Sequence, residues 1–319
     1  MSMHPAPLPI VDVVIPNYNY GHYLLGCANS VLSQTGVQVR LLIIDNASND
    51  DSCSIALKLA ANDRRVEVVL RPKNLGPHAS FNEAIDWASS DYFLILCADD
   101  FLAHGALSRA INMLEQYADV HLAHGVADKI SEAEYGPLKQ ANKSGDEWTI
   151  RSGSEFINFA CKHAFNPVAG PTAVVRTAVQ KRVGYYRPTL KHTDDLEMWL
   201  RFSLHGSVAS TQSVQAYARV HAHNQSATVA GVKHWNTEFE AAFRSFFDNE
   251  GRYTKNAEQL LTVARKSLSK RAYWSALSHL ARFQADSTAL MLYALKRNPL
   301  MAVLPPIDYL LQRSGRQGF

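Results

Sequence analysis

The chain has 319 residues, of which 47% are hydrophobic and 19% are charged, and this ordinary globular composition excludes a disordered or low-complexity chain. The net charge is +3, but residues 251–319 contain eleven Lys or Arg and three Asp or Glu, which leaves +8 there and −5 on the first 250 residues. This asymmetry favours either contact with an anionic surface or a well-solvated helical face, and we expect no nucleic-acid partner.

The first hundred residues alternate between β-branched or apolar runs and helical segments joined by short polar loops. This order of elements is typical of a parallel sheet that lies between helices. The predicted strands are residues 10–16, 39–44, 66–70 and 92–97, and the predicted helices are residues 23–33, 52–62 and 78–88.

The rest of the chain shows fewer clear elements. A short strand is predicted over residues 172–176, after a loop at 166–171 with a proline near each end, and residues 191–201 resemble a loop that leads into a helix. Apolar residues at three- and four-residue spacing predict four further helices. These are residues 235–249, 256–269, 273–283 and 288–296.

Polar side chains follow three of the first four strands. Asp45 ends the second strand, Arg71 and Asn74 follow the third, and Asp99 and Asp100 follow the fourth. Because the carboxyl ends of parallel strands open on one edge, we expect these side chains to converge. Two adjacent carboxylates repel each other unless a cation or a substrate hydroxyl lies between them, and their oxygens suit a hard divalent metal. The alternative for the acid pair is a solvated turn.

Four cysteines, Cys27, Cys53, Cys97 and Cys161, lie far apart and lack the spacing of zinc ligands or of a disulfide framework. We expect reduced, mostly buried thiols in a cytoplasmic protein. The first nine residues lack the apolar stretch of a signal peptide, and no apolar run approaches the roughly 20 residues that span a bilayer.

Short motifs in a fixed order carry a resemblance to a known family. Pro16-Asn17-Tyr18-Asn19 follows the first strand, Asp45-Asn46-Ala47-Ser48 the second, and Ala98-Asp99-Asp100 the fourth, whereas no Gly-rich dinucleotide motif or P-loop is present. Together with residues 30–35, 74–76, 183–186, 193–201 and 217–221, these motifs resemble a family 2 inverting glycosyltransferase with the GT-A fold. The resemblance covers residues 10 to about 225.

The resemblance implies an α/β fold with a Rossmann-like, mostly parallel sheet sandwiched by helices, followed by a C-terminal helical appendage. We expect a catalytic domain over residues 1–230, with a nucleotide-sugar half at about 10–101 and an acceptor half at about 102–230. Residues 231–319 would form the helical C-terminal region.

Residues that match the family's motifs are expected to bind a nucleotide-sugar donor. Asp45 resembles the acid that hydrogen-bonds the base, and Asn46 stands where a second Asp is frequent, which leaves the nucleotide open. Asp99 resembles the acid that contacts the ribose. The nearby residues assigned to the nucleotide-sugar by their position are Pro16, Tyr18, Arg71 and Asn74.

The resemblance also assigns metal ligands. Asp100 looks like the ligand of Mg²⁺ or Mn²⁺ bridging the two phosphates, where the metal stabilises charge on the leaving group. His221 matches a histidine near the diphosphate or metal, and a structural role is the equal alternative. Cys97 stands where many relatives have a further Asp, and we expect it to pack, because a thiol is a poor ligand for hard cations.

Asp194-Asp195 resembles the Glu-Asp pair of the family, and this resemblance makes Asp195 the expected general base. An inverting transfer needs one carboxylate to take the proton of the acceptor hydroxyl. The pKa of Asp195 must rise for this task, and Asp194 is a neighbour that can raise it. The alternative is that both acids cap the helix that follows. Arg201 is expected to pair with an acid or with phosphate, or else to be a surface charge.

These expectations combine into an inverting, metal-dependent glycosyltransferase, with a UDP-sugar as the default donor and a glycan or lipid-linked acceptor. The rival interpretations are a non-catalytic nucleotide- or glycan-binding protein on the same scaffold, and a nucleotidyltransferase. The basic tail either touches the inner face of a membrane, or covers the core or makes a dimer.

Overall fold

A computed structural model of the chain describes residues 7–131, 147–221, 224 and 231–307. Within these residues the strands are β1 Ile10–Asn17, β2 Gln38–Asp45, β3 Val66–Leu70, β4 Tyr92–Ile95, β5 Phe101–Leu102, β6 Val120–Ser131, β7 Trp148–Arg151, β8 Val174–Arg176 and β9 Ser207–Val220. The α-helices are α1 Gly21–Leu32, α2 Ser52–Asn62, α3 Pro77–Trp87, α4 Ala106–Gln116, α5 Gly153–His163, α6 Thr177–Val183, α7 Asp194–Phe202, α8 Gly231–Asp248, α9 Ala257–Ala281 and α10 Ser287–Arg297. Short 3₁₀ turns lie at Gly170–Thr172, Glu250–Tyr253 and Pro299–Ala302.

All of these strands belong to one sheet, in the order β3-β2-β1-β4-β8-β6-β9-β5, and β7 pairs with β9 outside this path. The pairs among β3, β2, β1 and β4 are parallel, as the sequence predicts. From β4 onward the pairing is antiparallel, except that β6 and β9 run parallel to each other. The predicted parallel half is therefore continued by a mixed half.

The parallel half forms because its strands are apolar on both faces. Val13, Val14 and Ile15 are consecutive in β1 and all fully buried, so each face of this strand must be covered by helices. One large apolar cluster joins the strands to α1, α2 and α4, while α3 also packs against β1. This packing fixes the carboxyl ends of the parallel strands at one edge of the sheet.

A buried acid stabilises the opposite, amino-terminal edge. The Asp12 carboxylate accepts hydrogen bonds from the backbone N–H groups of Ser89 and Ser90 and from the Ser90 hydroxyl, at 2.6–2.8 Å. Arg40 lies 3.3 Å from the same carboxylate. Since a buried charge is tolerated only when it is paired and hydrogen-bonded, these contacts give Asp12 a structural role in fixing the turn before β4.

The chain divides into two compact units. Of the described residues, the first comprises 7–131, 147–151, 168–187 and 205–221 and contains all of the described strands. The second comprises 152–167, 188–204, 224 and 231–307. The C-terminal helices expected from the sequence are present in the second unit, where α9 packs against α5, α8 and α10. The expected domain boundary near residue 230 stays a prediction.

Several elements differ from their predicted bounds. β4 ends at Ile95 rather than Cys97, and a single helix, α9, replaces the two helices predicted over 256–269 and 273–283. Residues 270–272 are Lys, Arg and Ala, which have high helix propensity and so continue the helix through the predicted gap. No helix in the described part of the chain is long and apolar enough to cross a membrane.

The four cysteines are free thiols. Cys27 and Cys161 are buried and Cys53 is half-buried, but Cys97 is exposed, so the prediction of a packing role for Cys97 is wrong. The reason is the early end of β4: two residues beyond Ile95, the alternation that buries strand residues no longer applies.

Candidate active site

The acid pair lies in a tight turn between β4 and β5, where the N–H of Asp100 donates to the carbonyl oxygen of Cys97 at 3.0 Å. Asp99 is buried, and Asp100 is half-buried. The alternative of a solvated turn with two surface acids is therefore wrong for Asp99. The turn directs the two carboxylates toward the last residues of β9.

Strand β9 brings a cation and an imidazole to this turn. Its pairing with β5, in which Phe101 faces Tyr217, places Arg219 and His221 beside the acids. The backbone N–H of Arg219 donates to Asp100 Oδ1 at 3.1 Å, and its Nε donates to the carbonyl oxygen of Asp99 at 3.3 Å. The Nε2 atom of buried His221 lies 3.2 Å from Asp99 Oδ2. His221 therefore lies against the acid pair, and its expected place near a diphosphate or metal stays a prediction.

The acids are electrostatically crowded. Loss of water around the carboxyl group raises the pKa of Asp100 well above its ordinary value, and the Asp99 charge raises it further, while Arg219 opposes both effects. Such a site favours either a proton or a cation between the acids. A divalent cation would satisfy both carboxylates without protonating them.

The donor set fits Mg²⁺ or Mn²⁺ when substrate phosphates complete the ligand shell. Mg²⁺ is commonly held by one or two carboxylates together with substrate phosphates, and Asp100, the expected metal ligand, supplies one carboxylate. Among the described residues, no group of three or more His, Cys, Asp or Glu side chains is arranged to hold a metal by itself. The described side chains therefore offer part of a metal site.

Aromatic rings from α1 and its leading loop cover His221. The Tyr20 ring is nearly perpendicular to the imidazole at 5.4 Å, and the Tyr23 ring lies 5.5 Å away. The Arg219 guanidinium stacks over Tyr23 at 4.6 Å. Burial, followed by the Asp99 charge, raises the pKa of Tyr20, so its phenol stays neutral and can donate a hydrogen bond.

A second cluster lies at the ends of β1 and β2. Asp45 is fully buried, and its carboxylate accepts from Asn17 Nδ2 and from the Ser48 N–H, both at 2.9 Å, and from the Cys53 thiol at 3.3 Å. Pro16 pairs in register with Ile44, and Tyr18 is 42% exposed. Asp45 is held rigidly at the predicted edge, and its contact with a base stays a prediction.

Asn46 connects the residues that follow β3. Its Nδ2 donates to Asn74 Oδ1 at 2.8 Å, and its Oδ1 accepts from Arg71 at 3.1 Å and from the Leu75 N–H at 3.0 Å. The Arg71 guanidinium also donates to the carboxylate of Glu83. An Asp at position 46 would lack the amide donor, so the asparagine holds the 71–76 turn in a way that a carboxylate cannot.

Asp195, in the second unit, is the second residue of α7 and lies in an environment that raises its proton affinity. Asn166 Nδ2 donates to Asp195 Oδ2 at 2.7 Å, and the Leu196 N–H donates to Oδ1 at 2.7 Å. Burial and then the Asp194 charge raise the pKa of Asp195 to about 7, although both hydrogen bonds oppose this shift. A carboxylate with this pKa is suited to general-base chemistry near neutral pH.

The helix-capping alternative for Asp194 and Asp195 applies only in part. The N-cap residue is Thr193, whose hydroxyl donates instead to the carbonyl oxygen of Glu238 at 3.0 Å. Both acids lie in the first turn of α7, where negative charge is favoured by the helix dipole. Stabilising the helix start and serving as a base are therefore compatible.

Arg201 pairs with an acid within α7. Its Nε and a terminal guanidinium nitrogen lie 2.9 Å from the Glu197 carboxylate, and the Arg201 side chain is 3% exposed. The surface-charge alternative is therefore wrong, because the side chain turns into the second unit. Contact with phosphate stays a prediction.

The structure brings several predicted site residues together. Asp99, Asp100 and His221 meet at one turn, and Asn46 links Arg71 with Asn74. Sequence reasoning missed the roles of Arg219, Tyr20 and Tyr23. The signal for Arg219 was its spacing of two from His221, which places both on one side of a strand.

Comparison with known proteins identifies the family to which this chain belongs. The family model of glycosyl transferase family 2 matches residues 12–183, which is more than half of the chain. An uncharacterized glycosyltransferase of Haemophilus influenzae is 30% identical over 149 residues, which are 47% of this chain and 60% of that protein. The chain thus spans less than two thirds of this relative's length.

Two solved structures share the fold. TarS 1-349 of S. aureus in complex with UDP-GlcNAc superposes with a TM-score of 0.58 and 16% identity, covering 92% of this chain and 91% of its own. The mannosyltransferase PcManGT from Pyrobaculum calidifontis, in complex with GDP-Man and Mn²⁺, has a TM-score of 0.58 and 18% identity, covering 98% and 85%. The predicted α/β fold of the GT-A type is confirmed, and from the family match this chain belongs to glycosyl transferase family 2.

Proposed function

We propose that the protein is an inverting, metal-dependent glycosyltransferase that moves a sugar from a nucleotide diphosphate to a hydroxyl group of a glycan or lipid-linked acceptor. The observation that carries the proposal is the acid pair held against His221 and Arg219, in a chain of this family. A UDP-sugar is the default donor, and the two solved neighbours, which hold UDP-GlcNAc and GDP-Man, support a nucleotide-sugar of this class.

The proposed reaction is a single displacement at the anomeric carbon. The acceptor oxygen forms a bond to this carbon while the bond to the diphosphate oxygen breaks, and the nucleoside diphosphate leaves with the bonding electrons. Asp195 takes the proton of the acceptor hydroxyl. An α-linked donor then gives a β-linked product, as expected for a step of polysaccharide or glycan assembly.

The remaining residues bind and orient the donor in this proposal. Asp45, Pro16 and Tyr18 would hold the base, Asp99 the ribose, and Asp100 with His221 a Mg²⁺ or Mn²⁺ ion. A bound metal supplies positive charge at the leaving diphosphate. Arg71, Asn74, Asp194 and Arg201 are proposed to support the nucleotide-sugar or the residues that touch it.

The two rivals differ in what they require. A degenerate binding scaffold needs neither Asp100 nor Asp195, and both acids are present in crowded, pKa-raising surroundings. A nucleotidyltransferase usually has a Gly-rich basic loop after the first strand, where this chain has Pro16-Asn17-Tyr18-Asn19. These residues favour glycosyl transfer over both alternatives.

The direct test is nucleotide release from a panel of UDP-, GDP- and dTDP-sugars with Mn²⁺, with Mg²⁺ and with EDTA. We expect slow, metal-dependent donor hydrolysis with one nucleotide class, because water can replace an absent acceptor. Equilibrium binding of the same donors, measured by calorimetry, serves as the control. Binding without turnover under any metal condition contradicts the enzyme proposal and favours the binding scaffold.

We also propose that the C-terminal helices touch a membrane at the cytoplasmic face. Three apolar side chains near their ends are strongly exposed: Phe283 by 98%, Val303 by 80% and Leu304 by 70%. Arg282, next to Phe283 in sequence, and Lys296 are exposed basic residues that match anionic headgroups. Arg313 and Arg316, at the basic tail end, lie outside the described residues.

Cosedimentation with vesicles tests this proposal. The wild-type chain is expected to bind vesicles containing anionic lipid, and replacing Phe283 and Val303 by Ser is expected to weaken binding by about tenfold for each side chain. Replacing Leu57, an exposed residue of α2, by Ser serves as the matched control. Retained vesicle binding by the double variant contradicts the proposal. If instead the wild-type chain is a dimer and the double variant is a monomer, the helices are better explained as a dimer interface.

A further inference from the structure

The end of α5 is bound by side chains from α9, although about 100 residues separate the two helices in sequence. The last carbonyl oxygens of a helix have no partner inside the helix and need donors from elsewhere. Ser267 Oγ donates to the carbonyl oxygen of Lys162 at 2.8 Å, and Arg271 donates to those of His163, at 3.2 Å, and Ala164. The guanidinium charge also suits the negative end of the helix dipole.

Arg271 is itself held in place by α8. Its second terminal nitrogen donates to Asn236 Oδ1 at 3.3 Å, and its guanidinium lies over the Phe239 ring at 5.3 Å. Asn236 is fully buried and donates to the carbonyl oxygen of Leu268 at 3.1 Å. These contacts fix the direction of the guanidinium, so it acts as a rigid clamp on the end of α5.

The clamped residues form a strained turn. Ala164 ends α5 with φ 49° and ψ 49°, a left-handed conformation that glycine adopts far more readily than alanine. Such a conformation persists only where surrounding contacts impose it. The Arg271 hydrogen bond to the carbonyl oxygen of Ala164 is one of these contacts, and the turn directs the chain into Asn166 two residues later.

Asn166 connects this turn with Asp195, the expected base. Its amide donates to Asp195 Oδ2 at 2.7 Å, so the direction of the Asp195 carboxylate depends on where the turn places Asn166. Hydrogen bonds thus connect Arg271 with residues 163 and 164, and Asn166 with Asp195, all within the second unit.

We propose that Arg271 is a positioning residue for sugar transfer: by clamping the end of α5 it holds Asn166 against Asp195. The C-terminal helices therefore have a part in aligning the general base, beyond filling space or meeting a partner. The inference rests on the proposed function, because it takes Asp195 as the base.

A double-mutant cycle tests this inference. Asn166→Ala is expected to lower kcat for transfer by about tenfold, the effect of a lost hydrogen bond to a charged group. Arg271→Met is expected to lower kcat by a similar factor with the donor KM unchanged. If Arg271 acts through Asn166, kcat of the double variant falls about tenfold, as in each single variant. Independent effects would instead add in free energy and lower kcat about a hundredfold.

Matched variants separate positioning from stability. Arg265→Met, on the same helix, removes an ion pair with Glu240 that does not involve α5, and it is expected to keep wild-type kcat. Arg271→Lys keeps the charge but lacks the planar fork, so a loss of about threefold is expected. If Arg271→Met does not fold, the cycle is run with Arg271→Lys instead.

Additive effects in the cycle, or wild-type kcat in folded Arg271→Met or Arg271→Lys, overturn the inference. Its failure is distinct from failure of the proposed function. If Asp195→Asn transfers sugar at the wild-type rate, the assignment of the base is wrong; if Asp195→Asn is inactive while the Arg271 variants are normal, only the positioning role is wrong.

Discussion

Replacing Asp195 by asparagine is expected to lower the rate of sugar transfer by about 10²–10⁴, the usual contribution of a general base. The variant keeps the shape of the side chain and can still accept from Leu196, so α7 is expected to form normally. The variant loses the capacity to take a proton, and it also loses the oxygen that accepts from Asn166. Transfer is measured with a saturating acceptor, and donor binding is measured in parallel by calorimetry.

The pH profile gives this prediction a second readout. The pKa of Asp195 is raised to about 7 by burial and then by Asp194, and the base acts only when ionised. The kcat/KM for transfer should therefore fall about tenfold per pH unit below pH 7, the slope for one essential ionisation. Above pH 7 it should level off.

Asp194→Asn is the matched control. It removes the neighbouring charge that raises the pKa of Asp195, so the acidic limb of the profile should move to lower pH. Donor binding that persists in Asp195→Asn without transfer supports the assignment. A wild-type transfer rate in Asp195→Asn contradicts the assignment of Asp195 as the base. An acidic limb that stays at the same pH in Asp194→Asn contradicts it too.

Replacing Asp100 by alanine is expected to reduce metal-dependent donor turnover by about 10²–10³, as expected when a group that stabilises developing charge is removed. Loss of water and the negative charge of Asp99 both destabilise the ionised Asp100 carboxylate. A bound cation would therefore stabilise the native site, and the alanine variant has no carboxylate there to attract it. Release of nucleotide is measured over a range of Mn²⁺ concentrations, and Mn²⁺ binding is followed by EPR in the presence of donor.

Asp63→Ala is the control for this variant. Asp63 pairs with Arg65 just before β3, at the opposite edge of the sheet, so its loss should leave Mn²⁺ binding unchanged. Because Asp100 accepts from the Arg219 N–H, Asp100→Asn provides a variant that keeps this contact but not the charge. Normal Mn²⁺ binding and turnover in both Asp100 variants would show that the metal is held elsewhere.

The parallel half of the fold was predictable because its signals are local. Each strand from β1 to β4 is a short apolar run that ends in a turn, and the helices between them have their own periodicity. In the mixed half the sequence predicts the short strand β8, but β6 and β9 are missed because they depend on pairing with strands that are distant in sequence. Buried polar residues such as Gln215 and Ser210 also interrupt the apolar pattern of β9.

The same difference between local signals and distant pairing explains which site residues could be predicted. Asp45, Asp99 and Asp100 follow predicted strands, so their common edge could be deduced from topology. For Arg219 the sequence offered only its spacing of two from His221, and its contacts with the acid pair arise from the pairing of β5 with β9. Asn46 departs from the family motif in the sequence, but its hydrogen bonds to Asn74 and Arg71 become apparent only in the structure.

The pairing of β5 with β9 has a consequence for folding kinetics. Phe101 and Tyr217 are more than one hundred residues apart, so their contact closes a long loop and is entropically costly to form early. The parallel half can assemble from neighbouring segments before this closure. A ligand that requires both Asp99 and His221 can therefore bind only to chains that have completed the closure, and such binding would mark a late event in refolding.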